Sequence, residues 1–211
     1  MNNVKIKKTL NLHKYSLRVN NMVLNWKIII PSVFAVAGIV LGAVIAKGEG
    51  VFYNKICEIL NSYILNGYGV SVHKNIVLYL LIPSIFAFAL FFNGLSVFGI
   101  FTAVFVPMIY SCFYSMMIYY LFSEYTLKGL AYSVIILFPY IILSLYSLIM
   151  ITGESINMSG YLLNMISKSS GKSDYSFKTY YKQTVKSYVL ILISVAIKTV
   201  IDGLFIDLFA F

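Results

Sequence analysis

Two ionisable residues, Lys198 and Asp202, stand four residues apart within the apolar run 188–208, a spacing that places both on one face of a helix. At bilayer depth a charged side chain costs about 3 kcal/mol or more unless it is paired or hydrated. Two chemistries fit such a pair. One is a proton or ion relay, or a gate; the other is an internal ion pair that fixes its helix against neighbours, with Glu154 or Asn93 as candidate companions. The ion pair is the expectation carried forward. The other chemistry-bearing residues are dispersed: His13 and His73 are isolated, and Cys57 and Cys112 lie in a polar-flanked and an apolar segment respectively. No His/Cys/carboxylate cluster has metal-ligand spacing, and no glycine-rich loop suits a phosphate. No serine has a base or paired acid arranged beside it for covalent catalysis. The expectation is a protein that is not an enzyme and has no cofactor and no metal.

The elements that must hold these residues follow from composition. Of 211 residues 60% are hydrophobic and 11% charged, against about 25% charged in an average soluble domain, so a water-soluble surface cannot be assembled. Net charge is +9, but the basic residues flank apolar runs instead of forming one basic face, so nucleic acid is not the expected partner. A crossing needs about 20 apolar residues. The chain offers runs at 28–46, 76–92, 97–122, 130–151 and 188–208, so the expected fold is all-α, a polytopic transmembrane helix bundle of about five spans with amphipathic interfacial helices. Four spans plus a re-entrant segment is the competing architecture, because the second run is short and the fifth carries two charges. The stretch 44–46 could serve as an export-signal cleavage site, yet the run before it is longer than a signal's apolar core of about 7–15 residues, and it is read as an uncleaved anchor.

Lysine placement sets the expected orientation. Lys5, Lys7, Lys8, Lys14, Arg18 and Lys27 fill the tail 1–27, and Lys168, Lys172, Lys178, Lys182 and Lys186 fill the segment 152–187. With five spans both blocks fall on the cytoplasmic side, which leaves Lys47, Lys55, Lys74 and Lys128 outside. The outer segment 51–68 is amphipathic, with Phe52, Ile56, Ile59, Leu60, Tyr63 and Ile64 on one helical face, and is expected to lie flat on the outer surface. In the inner segment, Ser173 or Asp174 can cap a helix whose Lys178, Lys182 and Lys186 recur every fourth residue. These lysines either snorkel to anionic headgroups or form a solvated face.

Within the first span, Gly38, Gly42 and Ala46 form a small-residue face that admits a close helix, either from this chain or from a partner. Asn93-Gly94 marks a tight connection, and Gly99 permits close packing after it. Pro83, Pro107 and Pro139 fall inside spans, where each removes a helical hydrogen bond and favours a kink.

Three stretches resemble the stage II sporulation protein M family of bacterial membrane proteins: FAVAGIVLGAVIA at 34–46, NGLSVFGIF at 93–101, and PYIILSLYSLIMITGESINMS at 139–159. In the third, Pro139 and Leu145 match the family motif. Tyr140 stands where the family often has His, Ser144 where it has an acid and Tyr146 where it has Pro. The resemblance implies a multi-pass protein of the bacterial cytoplasmic membrane, N-terminus inside. It further implies a non-enzymatic scaffold that recruits or holds cell-wall hydrolases at the septum during sporulation and engulfment. The alternative is the permease subunit of a transporter that works with a separate ATPase. In either case the partners are the lipid bilayer and other membrane or extracytoplasmic proteins, and the chain is a candidate homo-oligomer.

Overall fold

The computed structural model describes residues 26–48, 50, 53–55, 57–58, 72–166 and 175–205. Every regular element among them is a helix, and the protein is all-α. In chain order, besides the helical residues 53–55 and 57–58, these are α1 (Trp26–Lys47), α2 (Val72–Gly94), α3 (Gly99–Thr102), α4 (Phe105–Tyr132), a π-helical stretch Ser133–Leu137, α5 (Phe138–Ile166) and α6 (Phe177–Phe205). Three apolar helical segments, Trp26–Lys47, Gly99–Ile166 and Phe177–Leu204, are each long and apolar enough to cross a membrane. This is a membrane protein. Its large side chains point outward to match, with Val33, Val36, Val40 and Val44 all exposed along α1 and Phe98 and Phe101 more than two-thirds exposed.

A straight helix of the length of the middle segment would measure about 100 Å, three times a bilayer core. The chain avoids this by reversing at Thr126, whose φ of 50° and ψ of −124° interrupt α4. The two arms then lie antiparallel, since Tyr110 bonds Ser144 and Tyr114 bonds Tyr140. Near the tip, a Cβ on Gly129 would stand 1.9 Å from the Leu121 carbonyl oxygen, so only glycine fits where the arms converge. In the returning arm, Pro139 follows directly on the π-helical stretch. There the Phe138 N–H reaches back five residues to Ser133, and the widened turn relieves the clash a proline makes with the preceding turn.

The helices alternate in direction along the chain. Ser111 and Ser115 of α4 donate to the carbonyls of Ala35 and Ile39 at 2.7 and 2.8 Å, which sets α1 parallel to the outgoing arm of α4. Contacts of Tyr79 with Tyr140 and of Leu90 with Ser155 set α2 parallel to α5. Those of Ser84 with Tyr188 and of Phe91 with Tyr180 set α6 antiparallel to α2. One end of the bundle therefore carries Lys27, Asn93, Asn157 and Lys178, and the other carries Lys47 and the Thr126 tip.

Several boundaries differ from the sequence reading. The expected inner segment 152–187 is helical through Ile166 and again from Phe177, and its first part is core, with Thr152, Ser155 and Ser159 fully buried. The last helix begins at Phe177 instead of 188. Pro107 lies in the first turn of α4, where it interrupts nothing because that N–H has no intrahelical partner. The tail 1–25 and most of the outer segment 51–68 lie outside the described residues; of the latter, Tyr53 is buried and meets Tyr119 edge to face.

Candidate functional site

The interior is lined with hydroxyls, and many of them act on the backbone around them. A proline at position 83 cannot supply the N–H that would bond the Tyr79 carbonyl one turn earlier. Tyr140 supplies a proton instead, its hydroxyl donating to the Tyr79 oxygen at 2.8 Å. The same hydroxyl is 3.1 Å from that of Tyr114, and Tyr110 lies 2.5 Å from Ser144. Tyr110, Tyr140 and Ser144 are fully buried. Tyr79, Tyr114 and Tyr140 meet edge to face, a favoured arrangement of aromatic quadrupoles.

Lys198 joins this cluster from α6. Its Nζ sits 3.5 Å from the centre of the Tyr79 ring, a cation–π contact, and 2.7 Å from Asp202 Oδ2. Lys198 is fully buried, whereas the Asp202 side chain retains 21% exposure. Lys198 stands seven residues and Asp202 three residues before the end of α6, at the level of Tyr79 and Tyr140, and the helix itself starts earlier than the run 188–208 suggested. Neither suggested companion is there. Asn93 and Glu154 lie at the opposite end, where Asn93 accepts from Thr102 at 3.3 Å and Glu154 accepts from Tyr175. Burial and that bond to a carboxylate hold the Tyr175 phenol above its ordinary pKa.

That opposite end is a second polar centre, built on the C-terminus of α2. The last four carbonyls of a helix have no intrahelical partner, and here each finds one. Tyr180 donates to Phe91 at 2.9 Å, the Leu95 N–H to Phe92, and the Ser96 N–H to Asn93. Ser159 reaches both Asn93 and Gly94, at 3.2 and 3.3 Å. Tyr180 also stacks on Phe91, with ring planes 12° apart. A Cβ on Gly94 would meet the Tyr180 hydroxyl at 2.3 Å, and one on Gly99 the Asn93 oxygen at 1.8 Å, so both glycines admit neighbours no other residue would. Beside them Lys27 bonds Asn157, which ties the start of α1 to α5.

Gly38 and Gly42 face α4: a Cβ on either would lie 2.2 and 2.4 Å from the carbonyl oxygens of Met108 and Cys112. Ala46 is fully buried. The small face is thus occupied within the chain. Leu145 packs partly buried against the core, and Cys57 and Cys112 are free thiols. The sequence reading missed Tyr79, Tyr110 and Tyr114, and named Tyr140 only as a departure from a family motif. A signal existed: tyrosines in membrane helices favour the interfaces, and those at 110 and 114 lie well inside an apolar run at helical spacing.

No protein-family model, curated protein or solved structure matches this chain.

Proposed function

We propose that this chain is a non-enzymatic scaffold of the bacterial cytoplasmic membrane, with five crossings, a cytoplasmic N-terminus and a task of holding partner proteins. The observation that carries the reading is the set of hydroxyls that donate across helix interfaces to main-chain carbonyls. Ser111, Ser115, Tyr140, Ser147, Ser155, Ser159 and Tyr180 each make such a bond. A carbonyl cannot be moved without its helix, so each bond fixes one helix against another. A fixed bundle suits a platform better than a gate. Five crossings accord with the alternating helix directions and with the reversal at Thr126, and lysine placement at the Lys27 and Lys178 end favours the cytoplasm for that end.

The resemblance to the stage II sporulation protein M family adds a partner class, cell-wall hydrolases at the septum during sporulation and engulfment. They would meet the end bearing Lys47, Tyr53 and the Thr126 tip. The test is affinity purification of a tagged full-length copy from its own bacterium in mild detergent, with mass spectrometry of what co-purifies. Recovery of exported hydrolases supports the scaffold. Recovery of a stoichiometric cytoplasmic ATPase replaces it with the second reading, a permease subunit, which the buried Lys198–Asp202 pair favours because buried charge within a membrane helix often serves transport.

A further inference from the structure

We infer that the face of α2 and α6 at the lysine-rich end binds one anionic phospholipid, its acyl chain in a groove and its phosphate on the lysines of α6. The groove has a volume of about 260 Å³ and almost wholly apolar walls, with Phe88 and Phe91 of α2 on one side and Tyr181, Val185 and Tyr188 of α6 on the other. That volume is just under the usual range for compact small-molecule pockets, about 300–1,000 Å³, and its place between two helices suits a chain. Its floor holds Thr184, 8% exposed, whose Oγ1 lies beside the Tyr180 hydroxyl but makes no well-aligned hydrogen bond among the described residues. The adjacent Tyr180 hydroxyl already donates to the Phe91 carbonyl. A poorly bonded hydroxyl in an apolar trough is costly, and a glycerol ester carbonyl is a better acceptor that a lipid would bring to it.

Charge decides the headgroup. Lys178, Lys182 and Lys186 line a separate depression on the same turns of α6, and all three are exposed. Lys182 and Lys186 directly follow Tyr181 and Val185 of the groove wall. The groove therefore shares its helical turns with the cationic stripe. Tyr180 meets the last turn of α2, so residues 181–188 descend through about 12 Å from that end. This is the depth at which headgroup phosphate, glycerol and the first methylenes of one leaflet follow one another. Lysine stems laid along the helix deliver their ammonium groups to the phosphate level. The inference is independent of whether the chain is a scaffold or a permease.

The full-length protein would be purified in mild detergent, exposed to equimolar phosphatidylglycerol and phosphatidylcholine, and its retained lipid weighed by native mass spectrometry. The wild type is expected to retain one phosphatidylglycerol in preference. Lys178→Gln, Lys182→Gln and Lys186→Gln should each reduce that preference about fivefold. Val185→Trp, at an exposed wall position, should fill the groove and abolish retention of either lipid, and Thr184→Val should weaken it about threefold. Circular dichroism and a thermal unfolding curve would show that each variant is folded. Equal retention of the two lipids by the wild type, or undiminished retention by Val185→Trp, would overturn the inference. So would a photo-crosslinker at Phe88 that captures, in native membranes, a second copy or another protein instead of phospholipid.

Discussion

The two polar centres of this bundle solve the same problem by opposite means. At the lysine-rich end the groups that need partners are neutral carbonyls at the end of α2, and neutral hydroxyls from α5 and α6 satisfy those of Phe91, Asn93 and Gly94. Toward the Thr126 end a full positive charge, Lys198, is buried against a tyrosine ring and answered by a single carboxylate one turn away. The first centre joins three helices, so it encodes their arrangement. The ion pair is internal to α6 and meets α2 through the ring of Tyr79. Architecture therefore resides in the hydroxyls, and the charges add an electrostatic dependence to one helix.

The largest effect should come from breaking the charged centre on one side. Asp202→Leu leaves Lys198 buried without its counter-ion, and losing one partner of such a pair costs about 3–5 kcal/mol. The low end applies because Asp202 keeps some exposure. The double variant Lys198→Met with Asp202→Leu should recover most of that loss, because an apolar pair removes both desolvation penalties. Thermal unfolding in detergent of the two singles and the double would measure the coupling. A scaffold should also keep partner recovery in the double variant; loss of function in a protein that still inserts and accumulates would instead mark the pair as functional.

Next in size is the small-residue contact of α1. Gly38→Leu would drive side-chain atoms into the Met108 carbonyl and the Ser111 hydroxyl, and also separate Ser111 from the Ala35 carbonyl. Overpacking of a tight contact costs about 1–3 kcal/mol. The same substitution at the exposed neighbour Val40 should change stability little. If Gly38→Leu left unfolding unaltered while abolishing recovery of a partner, the small face would serve another protein and not α4.

Much of this was legible in the sequence, and unevenly so. Long apolar runs and lysine placement suffice for an all-α membrane protein, and the fourfold spacing of Gly38, Gly42 and Ala46 marks one helix face before any neighbour is known. The start of α6 was not legible. Hydropathy places a span where the apolar run is, whereas α6 extends eleven residues earlier through the lysine-bearing turns, packed there by Tyr180 and Thr184. The reversal at Thr126 was visible as a dip in hydropathy with Gly129 three residues on, but nothing in the sequence marks the threonine itself as the residue at positive φ. The hydroxyl cluster was hidden for a different reason. Tyr140 and Ser144 read as departures from a family motif, and their partners Tyr110 and Tyr114 lie on the other arm of a hairpin, a pairing that periodicity within one helix cannot reveal.

The smallest effect is also the most specific test of how the hydroxyls work. If Tyr140 exists to satisfy the carbonyl that Pro83 leaves bare, then Tyr140→Phe should cost about 1 kcal/mol, near the range measured for hydrogen bonds between membrane helices. Pro83→Ala restores an N–H to the turn and gives the Tyr79 carbonyl a partner of its own. In that background the cost of Tyr140→Phe should shrink toward zero, leaving only its contact with Tyr114. Tyr180→Phe should cost a similar amount but stay indifferent to Pro83→Ala, because the Phe91 carbonyl is bare for another reason, the end of the helix. A double-mutant cycle read by unfolding in detergent separates the cases. Coupling of Pro83 to Tyr140 but not to Tyr180 would make the first hydroxyl a proline repair and the second a helix cap, whereas equal coupling would mean that both act only as general packing.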